Sequence, residues 1–110
     1  VGQSIRRFLD TRDERVAVVA SSSWSHSFLA HKFGCSAIDL ETDRRYLELV
    51  RQGQGSELAG LTPEELQDSG DHEILNWIIA LGILGDVPAE ILDVRESHTQ
   101  LAFRVAALWG

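Results

Sequence analysis

The sequence has no methionine, one cysteine and one lysine. The single cysteine excludes an intrachain disulfide, and the single lysine argues against a nucleic-acid surface. The lone thiol, Cys35, cannot form an intrachain disulfide, which favours a reducing, cytoplasmic setting and predicts a small core residue. With Lys32 as the single lysine and a formal net charge of −7, the chain lacks the basic surface that nucleic-acid binding requires. No apolar run reaches the ~20 residues of a membrane span, and no secretory signal is recognisable.

What is present has the composition of an ordinary globular protein, with 44% hydrophobic and 25% charged residues. The length of 110 residues suits a single domain, residues 1–110. The chain opens on Val1-Gly2 without a methionine, and Gln3–Leu9 resembles the tail of an amphipathic helix. Processing or removal of a tag would explain the missing methionine. The alternative, which the site residues favour, is that these residues are the later part of a longer polypeptide.

One polar run follows a strongly apolar segment. Arg15–Ala20 contains three valines and predicts a strand buried on both faces, as occurs in open α/β sheets. The next residues, Ser21–His26, would then lie beyond the carboxyl end of that strand, where such sheets bind their ligands. This run ends in His26, and histidine is the residue type suited to acid/base chemistry near neutral pH, which makes His26 a candidate acid or base. The alternative is a hydrogen-bonded structural histidine.

Caps, periodicity and turn residues predict the remaining elements. They are a helix over Arg44–Gln52 with Thr42 or Asp43 as its cap, a helix started by Thr62 and stopped at Gly70, an apolar helix capped by Asp71 and reaching about Leu81 or Leu84, and a hairpin of Ile91–Glu96 with Gln100–Leu108. The predicted fold class is α/β.

Glu73 is a polar exception in the first turn of the apolar helix. A helix that is apolar nearly all round is normally buried, and a buried carboxylate needs an arginine, a helix N-terminus or a metal ion beside it. The simpler interpretation is that Glu73 caps its own helix at a solvated end.

Two segments together resemble a known family. Val16–Phe28, ending its polar run in Ser-His, and His72–Trp77 downstream resemble the class III extradiol ring-cleavage dioxygenases, the LigB-type non-haem iron enzymes. The resemblance implies that His26 is the catalytic acid/base and Glu73 the carboxylate ligand of Fe(II), with Trp77 marking the helix. It also implies a small aromatic diol of the catechol type and O2 as substrates, with Trp24 and Ser25 in contact with the substrate.

The sequence departs from the family at two points. Ser22, Ser23 and Trp24 stand where many members have Gly-Gly, and the two histidine ligands of the family come from an N-terminal half that has no match here. None of the remaining histidines (His31, His72, His98) lies in a matching motif. The resemblance therefore implies the C-terminal part of a three-layer LigB-like domain, with a buried strand, several helices and a C-terminal β-hairpin. Its expected partner is the N-terminal half of the same subunit or another copy in an oligomer.

Two other functions stay open. The first is a non-catalytic binding or regulatory relative of the same fold, which would lack a complete metal site. The second is a hydrolase that uses Ser25 or Cys35 with His26, although no Gly-x-Ser-x-Gly elbow is present and adjacent side chains align poorly as nucleophile and base.

Overall fold

The computed structural model describes residues 1–110, which form four α-helices, two short 3₁₀-helices and one two-stranded sheet. The elements in chain order are α1 (Gly2–Leu9), a 3₁₀-helix (His31–Phe33), α2 (Leu40–Gln52), a second 3₁₀-helix (Gly55–Gly60), α3 (Pro63–Ser69), α4 (Ile74–Leu84), β1 (Glu90–Ser97) and β2 (Ala102–Leu108). The predicted mixed α/β class is confirmed.

The C-terminal hairpin forms as predicted. β1 and β2 pair antiparallel, from Glu90 opposite Leu108 to Ser97 opposite Ala102, with one irregularity between Ile91 and Asp93. The other edge of β2 forms backbone hydrogen bonds with the polar run, Ser21–His26. Trp24 N donates to Phe103 O at 2.9 Å, and Phe103 N donates to Ser25 O at 3.1 Å.

Helix starts follow local capping chemistry, with two corrections. α3 has the predicted capping box, in which Thr62 and Glu65 bond reciprocally. α2 begins four residues earlier than predicted, because the cap is Asp39, whose carboxylate accepts from Thr42 N. α4 begins at Ile74, and only the backbone carbonyl of Asp71 accepts from it, so the predicted side-chain cap is wrong.

The core is an aromatic cluster centred on Trp24, which is fully buried. Its ring stacks on Phe103 at 5.7 Å between centroids and meets Trp77 edge-on at 5.1 Å. Tyr46 of α2 packs on the same indole at 6.5 Å. Because α2, α4 and β2 all contact Trp24, the residues beside it in sequence are held at the point where these elements meet.

The predicted strand over Arg15–Ala20 is wrong. The segment has no regular secondary structure and pairs with no other strand, and Val16, Val18 and Val19 are 53%, 37% and 86% exposed. Its composition suits a strand covered on both faces, yet β1 and β2 pair with each other, and the other edge of β2 pairs only with residues 24–27 near its start. Burial on both faces requires neighbouring strands that these residues do not supply.

Two further expectations about burial are wrong. α4 is apolar all round, but Leu75 and Ile79 are 49% and 38% exposed because the helix is covered on one side only. Cys35 is exposed at a left-handed turn rather than buried in the core. None of the helices has the length and apolar character that crossing a bilayer demands.

Candidate active site around His26 and Glu73

His26 lies at the point where the polar run, β2 and the end of α3 meet. Its backbone N–H donates to Gly70 O at 3.3 Å, and its carbonyl accepts from the N–H groups of Leu29 and Ala30 at 3.0 Å each. The side chain is 19% exposed. The backbone therefore fixes the ring at the surface, within reach of a bound molecule.

Gly70 makes this close approach possible. Its φ of +75° is left-handed, and a Cβ there would lie 2.8 Å from His26 O and 2.7 Å from Ala30 N. Both reasons favour glycine, since other L-residues are strained in that conformation and have no room. Gly70, the C-cap of α3, therefore also allows the loop that carries His26 to pack against the end of α3.

Ser23 connects His26 to Glu73. Its hydroxyl lies 2.6 Å from His26 Nε2 and 3.0 Å from Glu73 Oε2, and its backbone N–H also donates to Glu73 Oε2 at 3.0 Å. A hydroxyl has one proton, so when it donates to Glu73 it accepts from the ring, and Nε2 then carries the hydrogen. The imidazole and the carboxylate are 3.7 Å apart, Nε2 to Oε2.

Glu73 is half-exposed rather than buried, with 50% of its side chain accessible. The hydrogen bond from the Ser23 hydroxyl, followed by that from the Ser23 backbone, lowers the pKa of Glu73 below its ordinary value. Oε2 accepts both of these bonds and Oε1 accepts neither, which leaves Oε1 available as an oxygen ligand. The expected helix cap is absent, because Glu73 makes no side-chain bond to α4.

Below the loop, Ser25 is anchored to buried aspartates. Its hydroxyl donates to Asp43 Oδ2 in a short hydrogen bond, and its backbone N–H donates to Asp43 Oδ1 at 3.2 Å. The same hydroxyl accepts from Asp39 N at 3.1 Å. Asp39 itself forms an ion pair with Lys32. The start of α2 is therefore bonded to the residue next to His26.

Asp43 and Asp71 are both fully buried and close enough to interact. Burial raises the pKa of each carboxyl, and for Asp71 the neighbouring charge of Asp43 raises the pKa further. Neither Asp71 oxygen has a hydrogen-bond donor. Two ionised carboxylates cannot hydrogen-bond to each other, but a proton retained on Asp71 allows it to donate to Asp43.

Trp24 and Ser25 are fully buried, the first in the aromatic core and the second on Asp43. This placement does not support the predicted substrate contacts, because no open surface reaches either side chain. Their observed contacts hold the loop that carries His26.

The hydrolase alternative gains no support. Ser25 bonds to Asp43 rather than to His26, and Cys35 is exposed at a turn of its own. Ser23 does contact Nε2, but Nδ1 is buried without a partner. A triad would need an orienting group there.

The residues described supply one carboxylate ligand and not a complete metal site. No group of three or more His, Cys, Asp or Glu side chains is placed to hold an ion. Glu73 fits as a single oxygen ligand, whereas His31 bonds to Gln67 at the surface. A 2-His-1-carboxylate site would need its two histidines from other residues than these.

Sequence reasoning missed Ser23 and the three buried aspartates. Ser23 is one of four serines in the run, and nothing local marks it as the one that meets Glu73. Asp39 stands between Ile38 and Leu40, and Asp43 follows it by about one helical turn, a pattern that could have predicted one buried polar face. Asp71 has no comparable signal.

Comparison with known proteins gives one match. Residues 1–107 match the family model of LigB, described as the catalytic LigB subunit of aromatic ring-opening dioxygenase. No curated protein and no solved structure matches the chain. The family match covers nearly the whole sequence, including both segments that carry His26 and Glu73. The chain therefore belongs to the family of catalytic LigB subunits of aromatic ring-opening dioxygenases.

Proposed function

We propose that this chain supplies the acid/base histidine, His26, and the carboxylate metal ligand, Glu73, of an extradiol ring-cleavage dioxygenase. The observation that carries the proposal is the Ser23 hydroxyl, which joins His26 Nε2 and Glu73 Oε2 in one accessible group. The match to a family of aromatic ring-opening dioxygenases supports it. The substrate class is a catechol-type diol, with O2 as the second substrate.

The metal in this proposal is Fe(II). Glu73 would hold it through Oε1, the carboxylate oxygen that Ser23 does not contact, together with two histidines from outside residues 1–110. When bound, iron(II) brings the diol and dioxygen together and activates the oxygen for insertion beside the two hydroxyls. The low pKa of Glu73 keeps its carboxylate charged and ready to bind a cation at neutral pH.

His26 acts next to this ligand as the proton carrier. Its Nε2 is the ring atom on the Ser23 side, and its side chain is partly open to solvent. A diol hydroxyl at this surface would give its proton to the neutral ring, and the imidazolium would return a proton later in the reaction. Nδ1 is buried without a partner, so the exchanging atom would be Nε2. This requires the tautomer with the hydrogen on Nδ1, in which the Ser23 hydroxyl donates to Nε2 and Glu73 keeps the hydrogen bond from the Ser23 backbone N–H.

The exposed free thiol of Cys35 fits the expected reducing, cytoplasmic compartment.

The test separates the two roles within the complete catalytic subunit. His26→Ala should lower the rate of ring opening by about 10²-fold or more while iron content is retained, because general acid/base catalysis contributes that much. Glu73→Ala should reduce iron content. His31→Ala, a surface histidine bonded to Gln67, is the matched control and should change neither. Loss of iron in His26→Ala with retention in Glu73→Ala would reverse the assignments.

The second candidate is a non-catalytic relative of the same fold. It is favoured by the single metal ligand among the described residues. The intact mass of the natural gene product and its iron content after anaerobic purification decide between the two. A product well above 12.2 kDa with about one iron per chain supports the dioxygenase. A 12.2 kDa product without iron supports the relative.

A further inference from the structure

Phe28 lies on the surface directly beside His26. The centroids of the two rings are 5.1 Å apart, and their planes are tilted by 46°. The side chain of His26 is 19% exposed and Phe28 is 56% exposed, so one bound molecule can touch both rings. The phenyl ring is therefore an apolar surface next to the proposed acid/base.

Phe28 differs from the other exposed phenylalanines in its surroundings. Arg12 lies 6.0 Å from the ring centroid of Phe8, and Lys32 lies 5.4 Å from that of Phe33. Each of those two rings thus already has a cation beside it. Phe28 has no such cation, and its only aromatic neighbour is the imidazole. Much of its ring surface is therefore available to a ligand.

The backbone of the turn that carries Phe28 is fixed. The carbonyl of His26 accepts from the N–H groups of Leu29 and Ala30 at 3.0 Å each, which closes the turn around Phe28. Ser27 and Ala30, on either side, are 3% and 0% exposed. A side chain displayed from a fixed turn loses little conformational freedom when a ligand binds, which favours binding.

The chemistry of the family identifies the occupant of this surface. The chain belongs to a family that opens aromatic rings. A hydroxyl that exchanges a proton with His26 comes within about 3 Å of the imidazole, which brings the ring that bears it to within roughly 6 Å. Two aromatic rings attract each other at centroid separations of about 4.5–7 Å. An aromatic substrate at His26 therefore reaches the ring of Phe28.

We propose that Phe28 is a substrate-contact residue, on which the ring of the catechol-type diol packs while a diol hydroxyl faces His26. It takes the role predicted for Trp24 and Ser25, which are both fully buried. Phe28 supplies affinity for an aromatic ring and takes no part in proton transfer. This inference rests on the proposed function, because the diol must reach His26.

The test compares Phe28→Leu with the parent in the complete, iron-loaded catalytic subunit. Catechol is the probe, and its dissociation constant is measured by calorimetry without oxygen, so that binding is separated from turnover. Loss of the aromatic pair should raise the dissociation constant and the KM by about twofold to tenfold, with kcat nearly unchanged. Phe28→Tyr keeps an aromatic ring and should retain the parent values.

Phe8→Leu is the matched control. Phe8 is 62% exposed on α1 and contacts neither His26 nor its loop, so its replacement should change neither constant. Equal dissociation constants for Phe28→Leu and the parent would overturn the proposal. A fall in kcat at unchanged affinity would also overturn it, since the phenyl ring would then only support His26.

Failure of this inference is distinguishable from failure of the proposed function. In both of the contrary results above, the parent subunit still binds and opens catechol, so the proposed function stands. A parent subunit that holds iron yet neither binds nor opens catechol would refute the proposed function, and this inference with it.

Discussion

Replacing Ser25 with alanine should destabilise the chain far more than the loss of one hydroxyl suggests. The Ser25 hydroxyl donates to Asp43 and accepts from Asp39 N, and all three residues are fully buried. Its removal leaves one acceptor and one donor without partners. Each unsatisfied buried group costs about 1–3 kcal/mol, so Ser25→Ala should cost roughly 2–6 kcal/mol. That is a large part of the ~5–15 kcal/mol of a typical domain.

Urea unfolding, followed by tryptophan fluorescence, measures this free energy. Ser27→Ala is the matched control, because Ser27 is only 3% exposed and its hydroxyl has no partner to lose. It should cost less than about 1 kcal/mol. Equal costs for the two variants would refute the anchoring role of Ser25. In a double-mutant cycle, Asp43→Asn should reduce the further cost of Ser25→Ala, since the two groups are directly bonded.

Three other predictions concern the supports of the site. Burial raises the pKa values of Asp43 and Asp71, so above pH 3.8 the folded chain holds protons that the unfolded chain has released. The free energy of unfolding should therefore fall as the pH rises above 3.8. Urea titrations at several pH values should show a smaller fall for Asp71→Asn. Gly70→Ala should cost at least about 1–2 kcal/mol, whereas Gly60→Ala, with open space around it, should not; equal thermal midpoints would contradict this. Ser23→Ala should raise the pKa of Glu73 in carboxyl NMR titrations, and a value unchanged from the parent chain would count against the bridge.

Features encoded by neighbouring residues were predictable from the sequence. The capping box of Thr62 and Glu65 lies within four residues, and the hairpin follows from two strand-forming runs joined by a short turn. The start of α2 was missed because Asp39 and Asp43 are both plausible N-caps. Asp39 is the cap, since its carboxylate accepts from Thr42 N, while the carboxylate of Asp43 accepts from the distant Ser25.

Features set by distant residues were not predictable. The apolar composition of Arg15–Ala20 predicts a buried strand, but strand pairing and burial depend on partners that the pattern cannot identify. The Ser23–Glu73 contact joins residues 50 apart in sequence, and only the folded arrangement of α4 and the polar run places them together. The positions of His26 and Glu73 in their motifs were readable, while the residues that support them were not.

The pairing of the histidine loop with β2 has a consequence for the order of events during synthesis. Residues 24–27 bond to residues 101–103, which the ribosome adds more than 70 residues later. The loop thus cannot take its final conformation before residues 101–103 have left the ribosome, although α2 and α3 can already form from local contacts. His26 should therefore reach its native environment later than these helices do, and a message truncated before residue 101 should yield helices without the His26 loop in place.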